Sequence, residues 1–165
     1  MQLTLQNILR FIVLVVVQIF LLDNIQVWGY LSPMIYILFI FSLPVRFPRG
    51  ALLLLAFVLG LIIDIFNNTP GIHAFATVFM AYLRTPIIRM TTSLEDMSNP
   101  TPSFRTFRVN GYLEYVIILV LVHHTILFLI ESFSFVNISI LIPKIFVSAA
   151  VTILLILGVE SLHSK

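Results

Sequence analysis

The chain has 165 residues, of which 60% are hydrophobic and only 10% are charged, and its mean hydropathy is +1.11. Soluble domains carry about 25% charged residues, so the composition excludes an ordinary soluble domain and indicates a polytopic membrane protein. Cysteine is absent, which excludes disulfides, thiolate metal sites and cysteine nucleophiles.

Hydropathy predicts an all-α bundle of six transmembrane helices that forms a single domain over residues 1–165, because a helix needs about 20 apolar residues to cross the bilayer. The predicted spans are residues 5–22, 28–43, 49–66, 71–89, 112–132 and 138–160, with a hydrophilic loop at 90–111. Trp28 and Tyr30 are expected at the interface that precedes the second span. We expect Pro86 to kink the fourth span or end it early, and Arg84 to snorkel toward the headgroups.

Basic residues are distributed unevenly between the two sides of this predicted bundle. If the N-terminus is cytoplasmic, Lys144 alone lies outside and eight basic residues lie inside, which are Arg10, Arg46, Arg49, Arg84, Arg89, Arg105, Arg108 and Lys165. The positive-inside rule therefore predicts that both termini are cytoplasmic. The same topology places Asp23, Asp64 and Glu131 at the outer ends of the first, third and fifth spans.

The third span carries Ala56, Gly60 and Asp64 at intervals of four, which puts all three on one helical face. Small residues at this spacing let two membrane helices approach closely, although the same spacing also arises by chance in an apolar alphabet. The acid on the same face favours a true packing surface.

An acid and a histidine flank the turn between the third and fourth spans. Because ionisable groups are costly in lipid, Asp64 and His73 indicate either function or specific packing. A short helical hairpin brings them to similar depth, so we expect a carboxylate–imidazole bond. Side-chain oxygens of residues 67–69 are expected to cap the fourth helix.

Motifs for membrane-embedded catalysis are missing from the sequence. There is no Gly-x-Ser-x-Gly elbow, no His-Glu-x-x-His helix and no paired carboxylate in a Gly-x-Gly-Asp setting, so we expect no enzymatic activity and no cofactor. His123 and His124 are neighbours that point about 100° apart on a helix and so cannot chelate one ion together. One interpretation is that both bond to backbone or to a neighbouring helix. The other is that His124 and Glu131, seven residues apart on one face of the fifth span, line a polar transport path with Asp64 and His73.

The corner resembles the signature of the MreD family, the rod shape-determining membrane proteins of bacteria. The resemblance rests on Gly60-Leu61-Ile62-Ile63-Asp64, a short polar turn, and Gly71-Ile72-His73-Ala74. Length, close-spaced spans and an early proline in the second span, Pro33, extend it in architecture.

This resemblance implies a non-enzymatic scaffold of the cell-elongation complex in the bacterial inner membrane, which inserts lateral peptidoglycan. It implies binding to a bitopic MreC-like partner, and association with the RodA/transpeptidase pair and the MreB filament, and no nucleic acid. Ala56, Gly60, Asp64, Gly71 and His73 would then support an outer docking surface, and Arg105 and Arg108 would make cytoplasmic contacts, where alternating aromatic and basic residues also suit anionic lipid.

The implied fold is similar to the substrate-binding subunits of energy-coupling-factor vitamin transporters, which gives the alternative function of a small-molecule transporter subunit. Those subunits dock their partner through small residues in the first span. Residues 11–17 of this chain are bulky throughout, which counts against the alternative.

Overall fold

A computed structural model describes residues 2–24, 31–92, 101–132 and 138–163 of the chain. Helix α1 (Gln2–Val17) continues into a π-helical turn (Gln18–Leu22), and a 3₁₀ turn (Ile35–Ile37) leads into the short α2 (Leu38–Phe41). Four long helices follow, namely α3 (Arg49–Asn67), α4 (Ile72–Thr91), α5 (Phe104–Ser132) and α6 (Ile138–His163).

Four stretches of the described chain are long and apolar enough to cross a membrane. They are Leu5–Leu22, Arg49–Asn67, Phe104–Ser132 and Ser139–Leu162. These helices confirm the predicted class, an all-α, multi-pass membrane protein. Helix α4 packs between α3 and α5 but carries Arg84 and Arg89 in its second half, which makes it less apolar than its neighbours.

The second predicted span is not one long helix, so the prediction for residues 28–43 is wrong over the part that the structure describes. Residues 31–34 are not helical, and regular helix covers only Ile35–Phe41. Pro33 has no backbone N–H, and Pro44 stops the helix from continuing. The interface role predicted for Trp28 and Tyr30 concerns residues outside the described part of the chain.

The long loop is also shorter than predicted. Helix α4 passes through Pro86 and ends at Thr91, and α5 begins at Phe104, so helix covers both ends of the predicted 90–111 loop. Helix α5 is interrupted at Arg108, whose φ of 56° and ψ of 162° are not helical. The part of α5 before Arg108 is therefore a short helical turn that the hydropathy pattern alone did not predict.

The short helical segment occupies the centre of the bundle. Every residue from Met34 to Phe41 is buried, and Tyr36, Ile37 and Ile40 are fully enclosed. By contrast, α1 and the π-helical turn after it expose large apolar side chains such as Leu9 and Phe20, as a lipid-facing helix does. The interior of the bundle is thus built around a segment too short to span a bilayer.

The extended backbone that precedes this segment is bonded by side chains from the π-helical turn after α1 and from α6. The N–H of Ser32 donates to Ser148 Oγ at 3.0 Å, and the N–H of Met34 donates to Thr152 Oγ1 at 3.0 Å. The N–H of Ile35 donates to Gln18 Oε1 at 2.8 Å, while Gln18 Nε2 donates to the carbonyl of Pro33 at 3.0 Å. Irregular backbone is tolerated at membrane depth only where the protein satisfies it, as these side chains do here.

Charged residues collect at opposite ends of the bundle. One cavity brings Asp23 and Glu131 beside the turn that follows Asp64, and we call this the acidic end. Two other cavities contain Arg49 with Arg89 and Arg10 with Arg105, and we call this the basic end. The predicted topology likewise places these acids at one end of the bundle and these arginines at the other. The side of the membrane that each end faces stays a prediction.

Candidate functional site

Helices α3 and α4 approach each other closely at Gly60. A Cβ atom added to Gly60 would lie 2.5 Å from the Cα of Ala74 and 2.6 Å from the carbonyl oxygen of His73, distances that no real Cβ tolerates. Ala56 is fully buried and Asp64 is 3% exposed, so the small-residue face of α3 lies inside the bundle. Close backbone contact is what small residues at this spacing permit in membranes.

The carboxylate of Asp64 caps the N-terminus of α4 from the preceding helix. Its Oδ1 accepts from the backbone N–H of His73 at 2.9 Å and from Thr69 Oγ1 at 2.9 Å. Its Oδ2 accepts from the N–H of Ala74 at 2.9 Å. The first N–H groups of a helix have no intrahelical partner and attract negative charge, so a carboxylate at this place is stabilising.

Two sequence predictions for this corner are therefore wrong. Asp64 bonds the backbone of His73 and not its imidazole. The side chains of residues 67–69 do not cap α4 themselves: Thr69 donates to Asp64, and Asn67 Nδ2 donates to Asp23 Oδ2 at 3.1 Å. A carboxylate nine residues upstream reaches the helix end because the Gly60 contact brings the two helices together.

The turn itself uses two residues with positive φ. Asn68 closes α3 at φ 54° and Gly71 opens α4 at φ 85°. Asparagine tolerates the left-handed region better than other non-glycine residues, and glycine adopts it without steric cost. The turn thus requires Gly71, which is the residue the motif carries.

The imidazole of His73 points to the central segment. Tyr36 Oη lies 3.0 Å from His73 Nδ1 and 2.9 Å from His123 Nε2, so one hydroxyl bridges histidines from α4 and α5. A tyrosine hydroxyl has one proton, so it donates to one ring and accepts from the other. Thr77 Oγ1 donates to the carbonyl of His73 at 2.7 Å and encloses the bridge.

His123 and His124 have separate surroundings, as their positions on a helix predict. His124 Nδ1 lies 3.0 Å from the carbonyl of Val120, and its Nε2 lies 3.1 Å from Thr152 Oγ1. His123 Nδ1 is buried and has no hydrogen-bond partner among the described residues. Within that part of the chain, no group of three His, Asp or Glu side chains could hold a metal ion.

A polar cavity of about 170 Å³ opens at the acidic end. Its lining includes Asp23, His73 and Glu131, but neither Asp64 nor His124. The structure therefore brings only part of the proposed polar path together. Glu131 also binds Lys144 Nζ at 2.9 Å, an ion pair between α5 and α6 at the rim.

Arg84 is fully buried, so the prediction that it snorkels to the headgroups is wrong. Its Nε donates to Tyr115 Oη at 3.0 Å, and its terminal nitrogens donate to the carbonyls of Leu43 and Pro44. Those carbonyls follow the C-terminal end of α2, where a helix presents unpaired acceptors and partial negative charge. Arg84 thus fastens the short central helix to α4.

The two arginines predicted to make cytoplasmic contacts lie at the start of α5. Arg105 is exposed and lines a cavity of about 220 Å³ together with Arg10 and Glu160. Arg108 is exposed at the interruption of α5. They are far from the Asp64 corner, at the opposite end of the bundle.

Sequence reasoning did not identify the polar residues that hold the interior, namely Gln18, Tyr36, Thr77, Ser148 and Thr152. Each is isolated in an apolar stretch, and Ser148 and Thr152 share a face of α6 because they are four residues apart. Polar side chains inside membrane spans usually face a protein partner, and this signal could have found them.

No protein-family model, no curated protein and no solved structure matches this chain.

Proposed function

We propose that this chain is a non-enzymatic membrane scaffold of the bacterial cell-elongation machinery, and that it binds a bitopic MreC-like partner. The observation that carries the proposal is that the whole family-like motif forms one rigid corner. Gly60 permits the helix contact, Asp64 caps α4, Gly71 makes the turn and His73 is fixed by Tyr36.

The polar groups of the corner are engaged in holding backbone in place. Asp64 accepts three hydrogen bonds, two of them from the first turn of α4, which leaves it little capacity to act as a base. This use of a carboxylate supports a structural role for the corner. A rigid corner is a suitable platform for a partner because little conformational entropy is lost on binding.

The outer surface of the corner is apolar and exposed. Ile65 and Phe66 at the end of α3 are 66% and 58% exposed, and Phe75 at the start of α4 is 56% exposed. Phe75 stacks on Phe79, with ring centroids 6.3 Å apart. A single transmembrane helix of a bitopic partner would pack on such side chains, and aromatic residues often anchor interfaces.

The proposed location is the bacterial inner membrane with both termini in the cytoplasm. In this orientation the acidic end faces outward, and Arg105 and Arg108 lie where the MreB filament and the cytoplasmic parts of the RodA/transpeptidase pair would be accessible. The clustering of arginines at one end supports this orientation through the positive-inside rule.

The alternative function, a substrate-binding transporter subunit, is favoured by one observation, the polar cavity beside His73. Its volume of about 170 Å³ is below the roughly 300–1,000 Å³ that small-molecule sites usually have. A vitamin-sized ligand would therefore need the cavity to widen, and the scaffold function is the better supported of the two.

Affinity purification in mild detergent tests the proposal. We expect the wild-type chain to retain a single-span partner with a coiled coil, and Asp64→Ala to lose it. Glu131→Gln is the matched control, because it removes an exposed acid at the same end, and it should retain the partner. Purification of the wild type alone would contradict the scaffold function. Saturable binding of a vitamin-sized molecule by the isolated chain would favour the transporter subunit.

A further inference from the structure

The basic end contains a groove that the corner does not use. It lies between the first turns of α3 and the last turns of α4, and its volume is about 320 Å³. Its floor and walls are mostly apolar, with Leu52 and Ala81 buried beneath it and Tyr82 67% exposed beside it. The volume falls within the range of ligand sites.

Two arginines line this groove, Arg49 from α3 and Arg89 from α4. Both are exposed, and neither guanidinium has a hydrogen-bond or ion-pair partner among the described residues. Among the residues that the structure describes, no acidic side chain contributes to the lining. The groove is therefore a positively charged site whose charges the described part of the protein leaves unneutralised.

The groove opens at one end of the bundle, where α3 begins and α4 ends. In a membrane protein this is the level at which a helix leaves the hydrocarbon. Headgroups are the groups that meet helix ends in a bilayer. Guanidinium groups bind phosphate oxygens with paired N–H donors, and a basic pocket between helices suits an anionic headgroup. An apolar floor beneath two cations fits a molecule with a phosphate and an acyl chain.

We propose that this groove binds an anionic phospholipid, with the phosphate held by Arg49 and Arg89 and an acyl chain along Leu52, Leu53 and Ala81. A zwitterionic lipid would present its own cation to the two arginines and would bind less tightly. A free inorganic phosphate would reach the guanidinium groups but gain nothing from the apolar floor. The site is independent of the proposed partner surface, which lies at the opposite end.

Native mass spectrometry of the full chain in detergent micelles tests this site. Phosphatidylglycerol and phosphatidylcholine with identical acyl chains are titrated against the wild type and against the double variant Arg49→Gln/Arg89→Gln. We expect the wild type to prefer phosphatidylglycerol, and the double variant to lose about 30-fold of its affinity for it. Arg49→Lys/Arg89→Lys, which keeps both charges, should retain most of the preference.

The matched control is Arg46→Gln, compared with Arg89→Gln alone: it removes the same single charge from an exposed arginine outside the groove and should change the affinity less than about twofold. An equal loss in this control would show a general effect of net charge and overturn the site. Equal binding of the two lipids by the wild type would also overturn it. Displacement of phosphatidylglycerol by millimolar inorganic phosphate would assign the arginines to free phosphate and overturn the lipid.

Discussion

In the Asp64 corner and in the extended segment at residues 31–34, side chains accept hydrogen bonds from the backbone, but these acceptors lie at very different distances along the chain. Both contain backbone N–H groups that lack helical partners in the interior of a membrane protein. At the corner, the acceptor is a carboxylate nine and ten residues away in sequence. At the segment, Ser32 and Met34 depend on acceptors 116 and 118 residues away.

This difference explains which region a sequence can reveal. The residues of the corner lie close together in the sequence, so its glycines, acid and histidine form a recognisable motif. The segment is held by single polar residues of the π-helical turn after α1 and of α6, and no local sequence pattern marks it. We therefore expect the corner to be destabilised when its helix packing is disrupted. We expect the segment to be destabilised when a side chain distant in sequence is removed.

The largest expected effect comes from Gly60→Ala at the corner. The added methyl would lie 2.5 Å from the backbone of Ala74, which has no flexible end to move aside. We expect a loss of about 3 kcal/mol in the free energy of unfolding, at the upper end of overpacking costs. Circular dichroism during thermal unfolding in detergent measures it.

Gly158→Ala is the matched control, because a Cβ at Gly158 meets nothing within 4 Å. This variant should be as stable as the wild type or more stable, since alanine favours the helix. Equal losses in both variants would show that the Gly60 contact is not special.

The second effect is Asp64→Ala, which leaves the N–H groups of His73 and Ala74 without their acceptors. We expect a loss of about 2 kcal/mol, as for removal of a strong helix cap. Asp64→Asn keeps one acceptor oxygen and should lose about half as much. A wild-type melting temperature for Asp64→Ala would mean that the cap contributes nothing.

The sequence allowed the membrane class, the helical hairpin and the residues of the corner to be predicted. It did not allow the contacts of Asp64 to be predicted, because hydropathy places an acid near a turn without telling which of the neighbouring donors it meets. The burial of Arg84 was also missed. A positive charge near a helix end usually snorkels, and only the three-dimensional position of Leu43 and Pro44 supplies the carbonyls that keep it inside.

At the extended segment, Thr152→Val tests the dependence on distant side chains. It removes the acceptor of the Met34 N–H and the partner of His124 Nε2 while preserving shape. We expect a loss of about 1.5 kcal/mol, the cost of leaving buried polar groups unpaired. Thr91→Val is the control and should change stability much less, because within the described part of the chain the Thr91 hydroxyl bonds only to its own helix, at Ile87. Comparable losses would contradict the role given to α6.

The smallest effect is expected from Lys144→Met at the rim of the acidic end. Its ion pair with Glu131 is partly exposed, and the carboxylate side chain is 43% exposed. Such pairs contribute about 0–1 kcal/mol, so we expect less than about 0.5 kcal/mol in thermal unfolding. A loss as large as that of Thr152→Val would show that this ion pair contributes substantially to the stability of the bundle.

Site-specific photo-crosslinking in native membranes tests the central claim that the corner is the docking surface. A crosslinking side chain placed at Phe75, exposed beside the corner, should capture the single-span partner. The same group at Leu154, which is 69% exposed on α6, should capture little or none of it. Capture from Leu154 without capture from Phe75 would contradict the docking surface proposed here.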